Sequence, residues 1–235
     1  MSKQPLTFLS LPLESRLDIY RHALVNKERM GGRFSRSMVQ YQIMIDVRKS
    51  REEMTMTPAL LRTTKQIYHE ALPILYGENE FMVDKAKMIL DWLQQIGPVS
   101  VTLLTSLRIF PHAVYSETGK GLFGVREDPN YTGPTWCALL NKLAADATGL
   151  RHVFVYLDAE PGSGHYGAGK DLNFVRALGK MKVSGSMKIE GFFGTEWPRY
   201  LEGKVGMSVW DEQSCSEDML RLLRKYQRGT RNSIP

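Results

Sequence analysis

The sequence predicts an α+β protein. A helical N-terminal module with a strand insertion is followed by irregular helix–strand units that form an open sheet covered by helices. Three observations predict it. An amphipathic helical pattern opens the chain, and a stronger one spans residues 57–77. From about residue 83, a helix-period run leads into a β-rich run several times over. Two of these junctions share one spelling, Leu104-Thr-Ser-Leu107-Arg-Ile109 and Leu150-Arg-His-Val153-Phe-Val155, a spacing that sends alternate residues into a common core. The same linear order also fits a closed α+β sandwich.

Each element follows from its residues. "FLSLPLESRLDIYRHAL" reads as a helix starting at Ser10 or Pro12. Glu14 lies in its first turn, where it favours the dipole, and Leu13, Leu17, Tyr20 and Leu24 form a stripe. Residues 26–38 are polar and basic with a Gly-Gly, hence a loop. Val39 to Val47 alternates with β-branched residues, hence a strand, and residues 48–57 are a charged connector. "TPALLRTTKQIYHEALPILYG" predicts one helix capped by Thr57, with Pro58 at its first position. Leu61, Thr64, Tyr68 and Leu72 line one face beside Leu60, Ile67 and Ala71. Pro73 lacks an amide donor and is expected to kink or restart this helix, and Gly77 to end it. The units that follow pair helix 84–96 with strand 104–110, 136–148 with 149–157, and 171–181 with 184–193. A weaker pair, 196–204 with 206–212, precedes a short basic helix, SEDMLRLLRKYQRG.

Bulk properties exclude several classes. With 235 residues, 43% hydrophobic and 24% charged, the chain suits one large domain with a sizeable core. No apolar run approaches the ~18–20 residues that span a bilayer, and Glu14, Arg16 and Asp18 break the opening patch too early for a secretory signal. Cys137 and Cys215 are far apart and form no C-x-x-C pair, so the reading is a reduced, intracellular protein of cytoplasm or nucleus. The net charge of +6 is concentrated, because residues 1–65 hold 12 Lys or Arg against 6 Asp or Glu. Arg29, Arg33, Arg36, Arg48, Lys49 and Arg51 supply much of it. They form either a solvated basic loop or a patch for nucleic acid or another anion.

One stretch resembles catalytic chemistry. Gly164-His-Tyr-Gly-Ala-Gly169-Lys170 is G-x-x-x-x-G-K, between a predicted strand and a predicted helix, as in a phosphate-cradling loop. Met207-Ser-Val-Trp-Asp211-Glu212 could mimic a magnesium-holding strand. Three arguments oppose a nucleotide site. Asp171 replaces the hydroxyl that such loops give to magnesium, and its repulsion of phosphate is on the order of 1–4 kcal/mol. Asp171 already has a structural role as helix N-cap, with Lys170 pointing to solvent. Only about 65 residues follow the loop, too few for the strands that normally come after it. Gly164, Gly169 and Lys170 therefore read mainly as a turn, with a weak anion site as the second option. His152, His165, Asp158 and Glu160 cluster in sequence, but solvated loop charges explain them more simply than a metal. His22 and His69 lie in helices. Trp92, Trp136, Trp197 and Trp210 each fall in a predicted element and read as core anchors. No catalytic residue, cofactor or metal site is expected.

Two stretches carry a family resemblance. "FLSLPLESRLDIYRHAL" resembles the opening helix of F-box and F-box-like domains, a Leu-Pro followed by an amphipathic helix. Leu60-Leu-Arg-Thr63 and Glu70-Ala-Leu-Pro-Ile-Leu-Tyr76 resemble a segment recurrent in a group of uncharacterised fungal proteins that share that opening. The L-x-x-[LV]-x-[IV] junctions resemble leucine-rich repeat strands, at irregular intervals of roughly 35–45 residues. The resemblance implies an F-box-like module, residues 1–82, that docks the adaptor subunit of cullin-type ubiquitin ligases. Residues 83–235 would pack on it in one continuous unit and choose a substrate, with no membrane involved. Leu11, Pro12, Leu17 and Ile19 would then lie at or under the docking face. A true F-box has no counterpart of residues 26–57, so the alternative is a helical cap in which Leu11, Leu17 and Tyr20 are core.

Overall fold

Residues 7–25, 57–111, 128–157, 167–191 and 193–212 are described in a computed structural model of the chain. They fall into two units, Met1–Glu80 and Phe81–Pro235. The predicted strand at 39–47, the basic residues from Arg29 to Arg51 and the C-terminal helix lie outside the described residues.

In the first unit a 3-10 turn, Phe8–Ser10, leads through Pro12 into α1 (Leu13–Leu24). A second 3-10 turn, Pro58–Arg62, precedes α2 (Lys65–Gly77). Two expectations about this stretch are corrected. Thr64, not Thr57, caps α2, accepting the Ile67 amide at 3.1 Å. The chain breaks before it because the Thr63 hydroxyl donates to the Leu60 carbonyl at 2.8 Å and closes the 3-10 turn. α2 runs on through Pro73, itself exposed, without a restart. Ala71 and Leu72 before it and Ile74, Leu75 and Tyr76 after it are buried, and this packing carries the helix across the missing bond. The predicted stripe on α1 is also only partly core. Tyr20 and Leu24 are fully buried, Leu17 is half-buried, and Leu13 is 45% exposed. Arg16 takes the remaining buried place.

The second unit takes in β1 (Glu80–Val83) from Phe81 on, a strand without the spelled junction that marks β2. There follow α3 (Ala86–Thr102), β2 (Ser106–Ile109), α4 (Gly133–Asp146), β3 (His152–Leu157), α5 (Leu172–Leu178), β4 (Ser186–Gly191), α6 (Trp197–Val205) and β5 (Val209–Glu212). Gly97, at φ 76°, breaks α3 ahead of Pro98. The five strands form one sheet in chain order, and β2 to β5 pair in parallel. The protein is therefore α+β, a parallel sheet flanked by helices. The two similarly spelled junctions lie side by side, with Leu107 in register with Val153 and Ile109 with Val155.

Crossovers between adjacent parallel strands are right-handed as a rule, which sets the helices connecting β2 to β5 on one face. Successive helices pack accordingly, α3 on α4, α4 on α5 and α5 on α6. Aromatic rings tie this layer together. The Phe174 ring of α5 is 6.1 Å from Trp136 of α4, edge-on, and 6.4 Å from Trp197 of α6, stacked. Among the described residues, no helix is long and apolar enough to cross a membrane.

Candidate interaction surfaces

Successive side chains of a strand point to opposite faces of its sheet. Leu107, Ile109, Val153, Val155, Leu157, Met187 and Ile189 are at most 2% exposed and make the helix-side core. The residues between them are half-exposed or exposed and form the second face. Register sorts them into rows across the strands. Ser106, His152 and Ser186 form one row, and Arg108, Phe154 and Lys188 the next. Tyr156 pairs with Glu190 beyond them. On β5, Trp210 stands in register with Lys188, and Glu212 with Glu190.

The middle row has a definite chemistry. The Arg108 guanidinium sits 4.7 Å from the Phe154 ring centroid, and the Lys188 ammonium approaches the same ring from the other neighbouring strand at 5.9 Å. Each such contact contributes about 0.5–1 kcal/mol at an exposed site. Phe110, just past β2, packs its ring 6.0 Å from Phe154 and 5.8 Å from Tyr156. Lys188 also pairs with Glu190, their side chains 30% and 19% exposed. In the first row, His152 Nδ1 and Ser186 Oγ are 2.9 Å apart. The result is an aromatic platform held between cations, on strands whose other side is solid core.

The first unit contains a second candidate surface and the contact that shapes it. The Arg16 guanidinium grips the Glu70 carboxylate with two bonds, Nε to Oε2 at 2.9 Å and Nη2 to Oε1 at 2.6 Å. Its Nη1 donates to the Leu11 carbonyl at 2.5 Å. Tyr20 and Gln66 each donate to Glu70 as well, both at 2.9 Å. The segment entering α1 is thereby fastened to α2 through one arginine. Of the predicted docking residues, Pro12 and Ile19 are exposed and Leu11 and Leu17 half-buried. Among the described residues of this unit, Leu9, Leu13, Ile19 and Tyr68 are the exposed large apolar side chains.

These bonds hold the Glu70 carboxyl down at about 2, against an ordinary value of 4.5, Arg16 contributing most. Burial, then the bond to Glu70, pushes the Tyr20 hydroxyl up. A carboxyl whose folded value is depressed stabilises the fold fully above its unfolded value and stops doing so as pH falls through the folded one. The stability gap between the wild-type chain and Glu70→Gln should therefore be constant above about pH 5 and narrow as pH falls from 4.5 toward 2. Thermal melts of both proteins across that range check it, and a gap unchanged down to pH 2 would contradict the clamp.

The glycine-rich stretch is built as a turn where it is described. Gly164 lies outside the described residues, and Gly167–Lys170 form a 3-10 turn with Gly169 buried. The Gly169 carbonyl accepts the Gly194 amide at 3.1 Å. Asp171, itself buried, caps α5 by accepting the Asn173 amide at 2.7 Å. Lys170 is half-buried, while Gly167, Ala168 and Gly169 before it are buried. His165, Asp158 and Glu160 lie outside the described residues, and among those described no group of three or more His, Cys, Asp or Glu could hold a metal. Burial, reinforced by nearby Asp171, pushes the Cys137 thiol up to about 11, so it stays protonated. Trp136 and Trp197 are buried, and Trp92 is half-buried with its ring 5.5 Å from Phe81.

Sequence reasoning missed both central features. Arg16 and Glu70 stand 54 positions apart. Arg108 and Phe154 occupy the variable places of the two matching junctions, a signal visible only once the strands are set in register. Residues 1–163 match a domain of unknown function, DUF7730. No curated protein and no solved structure matches the chain.

Proposed function

The chain belongs to the DUF7730 family, and from that premise we propose that it is a non-enzymatic interaction protein, a substrate receptor linking a target to a cullin-type ubiquitin ligase. The first unit is its F-box-like, ligase-side element, and the second its target-side element, built like a short leucine-rich repeat array. Such a protein works inside a fungal cell, in cytoplasm or nucleus.

The observation that carries the reading is the second face of the sheet. Its aromatic and cationic side chains stand in rows on strands whose opposite residues are buried. A platform this rigid loses little freedom on binding, and aromatic residues with arginine are the side chains that anchor interfaces. On the ligase side, Pro12 and Leu13 at the start of α1 and Ile19 in its middle leave apolar surface exposed, while Arg16 fixes the backbone that precedes the helix.

The test is complex formation between the purified chain and a purified cullin-ligase adaptor subunit. Leu13→Glu with Ile19→Glu should weaken that complex at least about tenfold, since charge is forced into an apolar contact. The thermal midpoint should move by no more than a few degrees, because both side chains are exposed. No complex with the wild-type chain would remove the ligase reading.

A further inference from the structure

We infer that the helix layer of the second unit carries a further binding surface, on α5 and α6, for an acidic helix of a partner protein with one apolar anchor. This goes beyond the receptor reading and does not rest on it. Lysines on the first two helices of the layer are neutralised locally, Lys87 by Asp91 and Lys142 by Asp146, each four residues on. The last two helices differ. Arg176 on α5, Lys180 just past its end and Lys204 on α6 are exposed. Among the described residues, none of the three pairs with a carboxylate. Lys180 gives a bond to the Asn141 amide oxygen at 2.9 Å, and the Lys204 ammonium lies 6.0 Å from the Tyr200 ring centroid. Both contacts are to neutral groups and leave the charge uncompensated. Gly179 brings the cations together, because a Cβ there would stand 3.2 Å from the Tyr200 ring and 3.4 Å from Lys204 Cβ.

Cations in the last turns favour the dipoles of α5 and α6, which accounts for Arg176 and Lys204 but not for Leu172. Leu172 is 58% exposed, and with Arg176 and Lys180 it recurs at intervals of four, so the three share one side of α5. Residues four apart on a helix stand about 5–6 Å from each other. Carboxylates at that spacing on a partner helix therefore meet Arg176 and Lys180 together, and an apolar residue one turn away covers Leu172. Arg176 can take its carboxylate with two parallel bonds. A nucleic acid fits less well. Few cations gather here and α6 also carries Glu202, so few counterions would be released, and Leu172 has no use for phosphate. One leucine is also too little apolar area to hold a bilayer surface. An apolar centre with charged contacts around it is the anatomy of a protein interface.

The probe is a synthetic helical peptide of alanine and glutamine with one leucine, flanked on both sides by glutamates four and eight positions away. Its binding to the full chain is measured by fluorescence anisotropy. Replacing the glutamates by glutamines should weaken binding at least about tenfold, as charge-assisted bonds are lost. Replacing the leucine by alanine should weaken it several-fold. Arg176→Glu with Lys180→Glu should lose the acidic peptide and take up its lysine counterpart instead. Both sites are exposed, so the thermal midpoint should stay within a few degrees. Arg199→Glu, on α6 at helical spacing from Glu196 and Glu202, should leave binding within about twofold. Equal binding of the acidic and amide peptides, or no gain of the lysine peptide by the reversed chain, would overturn the inference. So would tighter binding of oligothymidylate or of phosphatidylserine vesicles than of the acidic peptide. Should the reversed variant melt early, the peptide series on the wild-type chain and on Leu172→Ala decides, since the peptide's leucine should matter to the wild-type chain alone.

Discussion

Phe174→Ala should destabilise the second unit by about 3–5 kcal/mol, the range for deleting a fully buried ring. Phe174 is 0% exposed and is the middle member of the chain of rings from Trp136 to Trp197, so its removal strips contacts from both neighbouring helices. A loss of that size corresponds to a thermal midpoint lower by roughly 6–20 °C for a protein of this length. Trp136 gives the companion result. Its indole nitrogen is buried and finds no hydrogen-bond partner among the described residues. Trp136→Phe should therefore cost only the lost ring area, well short of Trp136→Ala. Denaturant and thermal unfolding of the three variants test this, and a Phe174→Ala protein melting with the wild type would show that α4, α5 and α6 do not pack as described.

Gly149→Ala should be as damaging, although it adds a single methyl group. A Cβ at Gly149 would stand 2.2 Å from the Thr102 carbonyl oxygen and 3.2 Å from that of Leu104. Both are backbone atoms at the end of α3 and the approach to β2, so no side chain can swing aside. Just beyond, the amides of Arg151 and His152 both donate to the Thr105 carbonyl, at 2.8 and 2.9 Å, and this sets the register of β3 on β2. The clash can be relieved only by pulling these segments apart, at or beyond the top of the usual ~1–3 kcal/mol for overpacking. Gly203→Ala is the control. It meets nothing within 4 Å in the last turn of α6 and should stabilise by up to about 0.5–1 kcal/mol. Equal melting of Gly149→Ala and the wild type would contradict the close approach.

Much of the second unit was legible in the sequence because its helices and strands carry strong periods and well-placed breakers. The L-x-x-[LV]-x-[IV] spelling marked β2 and β3 and placed their inward residues, Leu107, Ile109, Val153 and Val155, which are all buried. Asp171 was readable as a cap because its side chain acts on an amide two residues away. Where the outcome depended on distant contacts, local rules failed. Pro73 was expected to kink or restart α2, and the helix runs through it without a restart because the burial around it offsets the missing bond. Thr57 and Thr64 are equally good caps on paper, and the 3-10 turn between them decided for Thr64. β1 follows directly on the α2 stretch and has no spelled junction like that of β2 to mark it. The candidate surfaces were the least legible part. Arg16 read as a charge that ends an apolar patch, yet it is buried because Glu70 and two backbone carbonyls, those of Leu9 and Leu11, satisfy it. The row of Arg108, Phe154 and Lys188 joins three strands, and no single stretch of sequence contains it.

The proposed receptor has two separable binding surfaces, and affinity capture separates them. Affinity purification from the native host with quantitative mass spectrometry would compare the wild-type chain with two variants. One is Leu13→Glu with Ile19→Glu, and the other Arg108→Gln with Lys188→Gln. The wild type should recover a cullin, its adaptor and at least one further protein. The first variant should lose the cullin and adaptor and keep the further protein, and the second should do the reverse. Recovery of neither cullin nor adaptor by the stably expressed wild-type chain, or loss of the same proteins from both variants, would contradict it.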